Sequence, residues 1–316
     1  MCIFAADIES NRKDLPVLRF QAWFFGQIDV NLCACAFSAR EISTKRDMTQ
    51  TAAMAGEIFQ PTEYVNGDLN SGILLLCDHA CNAVPPDYGS LGVAPEQFQR
   101  HIGYDIGARA VTLELAKRLN APACLTTYSR LLIDPNRGED DPTLIMRLSD
   151  GAVVPGNVTV DGEERAYRIN QFHKPYHDLI DRTIDAMMQT SAPPVLVSIH
   201  SFTPVWRGLP RPWHATVLWD SDPRAIKPML TGLRDQGDLV IGDNEPYDGA
   251  LKNDTMYRHA TQRGLAHVLL ELRQDLIAEE GGQMEWAGRL EPILLGIAGQ
   301  TDCRKVTFFK SRNDIT

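Results

Sequence analysis

The sequence has little positive charge. Its 31 Lys and Arg residues stand against 41 Asp and Glu residues, which gives a net charge of −10 over 316 residues. Proteins that hold nucleic acid through its phosphates are normally basic, so we expect no nucleic-acid partner. A small anionic substrate would need local cations, and the candidates are Arg130, Arg137 and Arg147.

The sequence also lacks an apolar run of about 20 residues, the length that crosses a bilayer. The nearest stretch, Phe20–Phe37, is interrupted by Gln21, Gln27, Asp29 and Asn31. No basic segment followed by an apolar one stands at the N-terminus, so we predict no secretory signal. These absences predict a cytoplasmic protein with no membrane partner.

The seven cysteines include no CxxC pair. Scattered cysteines in odd number are typical of reduced thiols in a cytoplasmic protein. Cys77 and Cys81 flank His79, so either thiol is an alternative zinc ligand. No nucleotide-binding glycine motif follows a predicted strand, and no Gly-x-Ser-x-Gly elbow surrounds Ser201. Dinucleotide, P-loop and serine-hydrolase chemistry therefore lack support.

The first 60 residues follow neither a strand nor a helix period. We predict that residues 1–60 are an N-terminal extension, disordered or loosely attached, or that translation starts at Met48 or Met54. Residues 61–300 are predicted to form a single α/β domain, and residues 301–316 a C-terminal tail.

From Gly72 onward, strand-like and helix-like segments alternate. This alternation predicts a three-layer α/β fold with a mostly parallel mixed sheet and helices on both faces. The predicted strands are Gly72–Cys77, Ala123–Tyr128, Leu131–Asp134, Val195–Ile199, Thr216–Trp219, Leu239–Ile241 and His267–Leu270. The predicted helices are Ile102–Leu119, Arg165–Met188 with a kink or break at Pro175, Arg224–Arg234, Thr255–Arg263 with Asp254 or Thr255 as cap, and Met284–Ile297.

Chemically active side chains follow several of these strands. His79 and His200 come just after two apolar runs, Glu271 follows a third, and Asn136 with Arg137 follows Leu131–Asp134. Ligands of open α/β sheets bind beyond the carboxyl ends of the strands, so we expect these side chains to converge. Two imidazoles, a carboxylate and a guanidinium predict a metal-assisted hydrolase whose substrate carries a carboxylate.

Neutral imidazole is the commonest zinc ligand, so His79 and His200 are predicted to bind zinc. A catalytic zinc usually has three protein ligands and one water, and Asp105 is the candidate for the third, with Asn82 as the alternative. The competing interpretations are a histidine that caps a loop by hydrogen bonding and an Asp105 that complements a helix dipole.

Glu271 is predicted to be the general base, because a carboxylate at the end of an apolar strand is costly unless it is paired or functional. The alternative is an ion pair with Arg273 or with a neighbouring Arg. Arg137 offers a planar fork for a carboxylate, the alternative being a pair with a nearby acidic residue. The predicted substrate-binding residues are Asn136, Arg130, Arg137 and Arg258.

These motifs together resemble the N-formylglutamate amidohydrolase family, which is related to zinc carboxypeptidases and aspartoacylases. The resemblance covers about residues 74–297. The matching segments are Cys77–Asn82 (CDHACN) with Pro85, Gly103–Gly107 (GYDIG), Tyr128–Asp134 (YSRLLID) with Asn136 and Arg137, Ser198–Phe202 (SIHSF), Gly242–Tyr247 (GDNEPY), Arg258 with His259, and Glu271–Asp275 (ELRQD).

The resemblance implies a carboxypeptidase-like fold, one zinc ion per chain, and hydrolysis of a linear amide bond that releases formate and glutamate. It implies that His79 and His200 are metal ligands and that Glu271 is the catalytic carboxylate. Carboxypeptidases place a Glu three residues after the first His, where this chain has Asn82, so Asp105 replaces it as the candidate ligand.

Three functions compete at this point. The first is a zinc amidohydrolase of amino-acid metabolism that acts on a small N-acyl amino acid, most simply N-formylglutamate. The second is a carboxypeptidase-like hydrolase of another N-acyl or peptide metabolite. The third is a binding protein on the same scaffold that has lost catalysis. The oligomeric state is left open.

Overall fold

The structure is a computed structural model that describes residues 59–190 and 192–314. The predicted N-terminal extension, apart from its last two residues, lies outside the described residues, as do both alternative start positions. In the part of the chain that is described, no helix has the length and apolar character needed to cross a membrane.

Eleven strands and nine α-helices are formed by the described residues. The strands are β1 Thr62–Val65, β2 Ile73–Cys77, β3 Ala123–Thr126, β4 Leu148–Ser149, β5 Ala152–Val153, β6 Val195–Phe202, β7 Val205–Trp206, β8 Leu209–Pro210, β9 Ala215–Leu218, β10 Ile241–Asp243 and β11 His267–Arg273. The helices are α1 Pro95–Phe98, α2 Ala108–Leu119, α3 Pro155–Val158, α4 Gly162–Arg168, α5 Lys174–Thr190, α6 Ile226–Arg234, α7 Thr255–His259, α8 Gln274–Ile277 and α9 Glu280–Ala298.

Seven strands form one mixed sheet in the order β1-β3-β2-β6-β11-β9-β10. The four central strands β3, β2, β6 and β11 run parallel, whereas β1 and β9 pair antiparallel with their neighbours β3 and β11. Every residue of β2 and of β6 is buried, as expected for central strands covered on both faces. The predicted mixed, mostly parallel α/β sheet is therefore confirmed.

Helices cover both faces of this sheet. Side chains of α2, α6 and α9 pack with Leu75 and its alternate neighbours on β2, whereas α5 and α7 pack with Leu74 and Leu76. Successive side chains of a strand point to opposite faces, so these two apolar clusters lie on opposite sides of the sheet. The predicted three-layer architecture follows from them.

The predicted strand Leu131–Asp134 is wrong. These residues form a turn and an irregular segment in which the amide of Leu132 donates to the carbonyl of Ser129 at 2.9 Å. Leu131, Leu132 and Ile133 are fully buried in a third apolar cluster together with Tyr128. The apolar run reflects burial in this cluster and not the period of a strand.

Helix α2 begins at Ala108, six residues later than predicted. Gly107 has a φ of +81°, and a Cβ there would lie 2.2 Å from the carbonyl oxygen of Ile277, so the glycine allows a left-handed turn at a close approach. The residues before it form turns, and these turns carry Asp105.

The helix predicted around Pro175 divides into α4, a π-helical segment at Ile169–His173, and α5. Pro175 is the second residue of α5, where its missing amide hydrogen disturbs the helix least. Asp254 caps α7 as predicted, because its Oδ1 accepts from the amide of Tyr257 at 2.7 Å. β10 lies two residues beyond its predicted position, and α7 gives way to a 3₁₀ turn at Thr261–Arg263.

The described C-terminal residues contact the domain. The Arg224 guanidinium donates to the carbonyl oxygens of Asp302 and Lys305, at 3.0 and 2.6 Å. Cys303 is fully buried in the cluster that holds α6 and α9.

Candidate functional site

His79, Asp105 and His200 form a buried cluster that could hold a metal ion. One ligand atom from each residue lies within 4.8 Å of the other two. Oδ2 of Asp105 lies 3.2 Å from Nδ1 of His79 and 2.9 Å from Nδ1 of His200. The two imidazole rings are nearly perpendicular, with centroids 5.0 Å apart.

Neighbouring strands and one turn bring these residues together. His79 lies two residues beyond the end of β2, as predicted, but His200 lies inside β6, which continues to Phe202. Asp105 lies in the turns before α2, where its amide donates to the carbonyl oxygen of His79 at 3.0 Å. The adjacent parallel strands β2 and β6 thus position the two histidines, and the segment that leads from β2 to α2 provides the carboxylate.

A carboxylate backs each histidine on its other side. Nε2 of His79 lies 2.8 Å from Oδ1 of Asp134, and Nε2 of His200 lies 2.7 Å from Oδ2 of Asp78. Metal-binding histidines usually donate their second ring N–H to such a carboxylate, which fixes the tautomer.

When each ring carries its proton on Nε2, the Nδ1 lone pairs of both histidines face Asp105. Two lone pairs and a carboxylate oxygen repel each other unless a cation lies among them. Without a metal, a proton supplies the positive charge. Burial alone would lower the pKa of His200, but Asp105 and Asp78 raise this pKa well above its usual range. The residues present therefore fit a metal cation.

Asp78 is fully buried and accepts four hydrogen bonds. Tyr176 and Thr255 donate hydroxyl groups to its Oδ1, at 3.0 and 2.8 Å. Ser198 donates to its Oδ2 at 2.8 Å, beside the His200 contact. Burial raises the pKa of a carboxyl group, but the hydrogen bonds and charge of His200 outweigh it and lower the pKa of Asp78 to about 2. Asp78 is thus an ionised support that holds the His200 ring.

Arg130 connects the other backing carboxylate to the cluster. Its Nε and Nη2 donate to Oδ2 of Asp134 at 3.1 and 2.7 Å, and its Nη1 lies 3.5 Å from Oδ1 of Asp105. The pKa of Asp134 lies well below its usual range, because Arg130 and His79 outweigh the effect of burial. The structure thus places Arg130, predicted to bind substrate, against two carboxylates of the site.

Glu271 lies beside His200, its register partner on the adjacent strand β11. Among the described residues, Oε2 of Glu271 is buried without a hydrogen-bond partner. Burial raises the pKa of Glu271 to about 7, although the positive charge of His200 acts to lower it. The alternative ion pair with Arg273 is not formed, because Arg273 pairs with Asp275 at 2.8 Å.

Asn136 and Arg137 follow the buried turn next to Asp134. The amide of Asn136 donates to Oδ1 of Asp134 at 2.9 Å, and its side-chain oxygen accepts from the amide of Thr255 at 3.1 Å. Arg137 donates to the carbonyl oxygen of Asn136 at 2.7 Å and to Thr143 at 3.3 Å. Within the described residues Arg137 forms no ion pair, so the alternative pairing with a neighbouring acid is not seen.

Other predicted residues are engaged elsewhere. The Asn82 amide donates to the carbonyl oxygen of Phe98 at 3.1 Å, and Arg258 lies 4.0 Å from Glu139. Cys77 is buried in the apolar core, and burial raises the pKa of its thiol well above the usual range.

A chain of buried histidines supports the Asn136–Arg137 segment from beneath. His177 contacts the carbonyl oxygen of Pro135 at 3.0 Å, and His173 contacts that of Arg137 at 2.9 Å. The other ring nitrogen of His177 lies 2.7 Å from Nε2 of His259. The carbonyl groups on both sides of Asn136 are thereby fixed.

Neither Asp78 nor Asp134 was predicted to have a role. One sequence signal could have identified them, because each is an acidic residue directly after an apolar run. Asp78 precedes His79, and Asp134 lies just before Asn136 and Arg137. Histidine ligands require acceptors for their second nitrogen, and these two were the nearest candidates.

Two histidines and a carboxylate near the ends of the central strands of an α/β sheet form a candidate metal centre, of the kind that metal-assisted hydrolases use. The family model of N-formylglutamate amidohydrolase matches residues 71–278. The chain belongs to this family, and its class is therefore that of an enzyme hydrolysing amide bonds.

Several solved structures are similar to this chain. The gene product Atu2144 from Agrobacterium tumefaciens shares 33% identity with a TM-score of 0.70, over 76% of this chain and 95% of that one. The N-formylglutamate amidohydrolase from Ralstonia eutropha JMP134 shares 20% identity with a TM-score of 0.60, over 75% and 97%, and this likeness concerns the fold alone. No curated protein sequence matches the chain.

Proposed function

We propose that the protein is a zinc-dependent amidohydrolase that cleaves the amide bond of a small N-acyl amino acid, most simply N-formylglutamate, to give formate and glutamate. The observation that carries the metal dependence is the convergence of Nδ1 of His79, Nδ1 of His200 and Oδ2 of Asp105, each histidine backed by a buried carboxylate. Family membership supports the amide bond as the target.

The three side chains suit zinc. Histidine nitrogen and carboxylate oxygen are zinc ligands, and three protein ligands leave a position open for catalysis. Ligand atoms around a tetrahedral zinc lie roughly 3.3 Å apart, because each bond is about 2.0–2.1 Å long. The separations of 3.2 and 2.9 Å at Asp105 approach that value. When bound, zinc would supply a Lewis acid and a water of lowered pKa.

The protein's own groups perform the proton transfers and the binding. Glu271 accepts a proton from the attacking water and passes it to the amide nitrogen as the bond breaks. Its buried, unpartnered Oε2 and raised pKa suit a group that must gain and lose a proton near neutrality. Arg137 binds a substrate carboxylate with its planar fork, and Arg130 adds positive charge beside it.

Two measurements test the proposal. Elemental analysis of protein purified without a histidine tag should give one zinc per chain, and the Asp105→Asn variant should lose it. Asp178→Asn is the matched control, because Asp178 is exposed and pairs only with Lys174 on the surface. Protein that contains no metal, with activity that chelators leave unchanged, would contradict the metal dependence.

A panel of N-formyl, N-acetyl and N-succinyl amino acids identifies the acyl group. The highest kcat/KM is expected for N-formyl-L-glutamate. Faster hydrolysis of another acyl group would favour a different metabolite, and hydrolysis of none by metal-loaded protein would favour a binding protein.

A further inference from the structure

Arg211 is a buried cation that lacks a counterion. It follows β8 directly, and only 8% of its surface is exposed. Its Nη2 donates to the hydroxyl of Tyr247 at 2.7 Å, and its Nη1 to that of Thr203 at 3.4 Å. No carboxylate of the described residues lies within 4.0 Å of its guanidinium. A buried charge without a partner is costly, so a position of this kind calls for an anion.

Aromatic rings enclose this guanidinium. Its central carbon lies 5.1 Å from the ring centroid of Tyr247, 5.5 Å from that of Trp206 and 5.7 Å from that of Phe202. Contacts with ring faces stabilise a cation in part but bring no negative charge. A guanidinium carries five N–H donors. The two hydroxyl contacts use two of them, and the other three remain for a planar acceptor such as a carboxylate.

Arg211 lies beside the catalytic cluster. Phe202 is two residues beyond His200 on β6. Tyr247 has a pKa raised chiefly by burial, and the charges of Glu271 and Arg130 also act on it. The ring of Trp206 packs edge-to-face against His101, with centroids 5.9 Å apart. Burial lowers the pKa of His101, and the charges of Arg130 and Asp105 also act on this pKa. The enclosure therefore borders the same site.

We propose that Arg211 binds a second carboxylate of the substrate, that of the amino-acid side chain, and so makes the enzyme selective for N-acyl derivatives of acidic amino acids. This inference rests on the proposed function, in which Arg137 binds the other carboxylate. Two carboxylates on one small substrate need two cations, and these are two arginines near the site whose guanidinium groups form no ion pair among the described residues. A neutral side chain would leave the Arg211 charge buried and unpaired, which disfavours that substrate.

The test compares N-formyl-L-glutamate with N-formyl-L-glutamine, which has the same shape and a neutral side chain. The wild-type enzyme should prefer the glutamate compound by about 10–100-fold in kcat/KM, as expected for a hydrogen-bonded charge pair. Arg211→Gln should lower kcat/KM for the glutamate compound by a similar factor and change that for the glutamine compound little. Arg182→Gln is the matched control, because Arg182 is an exposed arginine on α5.

A second variant covers the case in which Arg211→Gln does not fold. Tyr247→Phe keeps the half-exposed ring and removes the hydroxyl that holds Nη2 of Arg211. It should raise KM for the glutamate compound with little change in kcat, and leave the glutamine compound unaffected. A merely structural role would affect both substrates alike. Equal losses for both, or a wild-type enzyme that does not discriminate between them, would overturn the proposal.

Binding of L-glutamate and L-glutamine, measured by calorimetry on the wild-type protein and on Arg211→Lys, separates this inference from the proposed function. If metal-loaded protein hydrolyses no compound of the N-formyl, N-acetyl and N-succinyl panel, the proposed function fails. Tighter binding of L-glutamate that weakens about tenfold in Arg211→Lys, where the charge stays and the planar fork is lost, would still support Arg211 as the carboxylate site. Equal binding of the two amino acids would overturn it.

Discussion

Glu271 and His200 are register partners on the parallel strands β11 and β6. Paired residues of neighbouring strands point to the same face of a sheet, so the carboxylate stands beside the imidazole on a rigid support. β11 lies between β6 and β9 in the sheet, and hydrogen bonds to both neighbours fix its position. The distance between the proposed base and the proposed metal ligand is thus set by the sheet itself and does not depend on a loop.

Replacement of Glu271 by Gln tests the proposed base. The variant keeps the shape of the side chain but cannot accept a proton, so kcat should fall by at least ~10², the lower end for loss of a general base. Metal content and melting temperature should match those of the wild type. Glu279→Gln, at an exposed position between α8 and α9, is the control. Turnover close to normal would remove Glu271 from the catalytic role.

The backing carboxylates should control metal affinity. Asp78→Asn and Asp134→Asn each keep a hydrogen-bond acceptor but lose the charge opposite a histidine Nε2. We expect each to weaken zinc binding by about 10–100-fold, the usual effect of losing such a partner. Competition with a chelator of known affinity measures it. Unchanged zinc affinity in both variants would mean that these carboxylates support only the fold.

The sequence predicts the sheet well because its central strands are buried on both faces. Such strands appear as continuous apolar runs, and β2, β6 and β11 were located in this way, although β6 and β11 extend further than their apolar runs. Polar residues within those extensions, His200 and Glu271, were therefore placed after the strands instead of inside them. In both cases a polar side chain stands inside a strand where an apolar residue would continue the run, so the apolar run ends before the strand does.

Other parts of the site depend on contacts between distant segments. Leu131–Asp134 has the apolar character of a strand, but its burial comes from a local cluster. Asp78 was adjacent to a selected histidine, yet its four donors come from β6, α5 and α7. Arg211 was not predicted to have a role, because only the folded hairpin and Tyr247 bury it. Periodicity carries no information on such contacts.

Asp254 should make the protein less stable at high pH. It is buried at the N-terminus of α7, and burial raises its pKa to about 7 from a usual value of 3.8. Between these values the folded state keeps a proton that the unfolded state releases, so this contribution to stability is complete below about pH 4 and is lost as the pH rises through 7.

Asp254→Asn removes this titration and keeps a side-chain acceptor for the amide of Tyr257. The variant should melt higher than the wild type at pH 8, by at least about 2 °C for a domain of this size, and the difference should shrink toward pH 4. Asp161→Asn is the control, because Asp161 caps α4 in the same manner but is exposed. A difference that grows as the pH falls would contradict the assignment.

Arg137→Lys tests whether recognition of one substrate carboxylate needs a planar fork. A protein of net charge −10 repels anions at long range, so local cations must overcome that field. Lysine keeps the charge of Arg137 but cannot form two parallel hydrogen bonds.

We expect kcat/KM of the Arg137→Lys variant for N-formyl-L-glutamate to fall about tenfold or more, which corresponds to ~1.4 kcal/mol of lost transition-state stabilisation. Arg182→Lys, at an exposed position on α5, is the control. The loss should be much smaller for the analogue in which the α-carboxylate is amidated. If the variant loses the same factor with the acid and with the amide, Arg137 does not bind the α-carboxylate, and its contacts with Asn136 and Thr143 would then be its function.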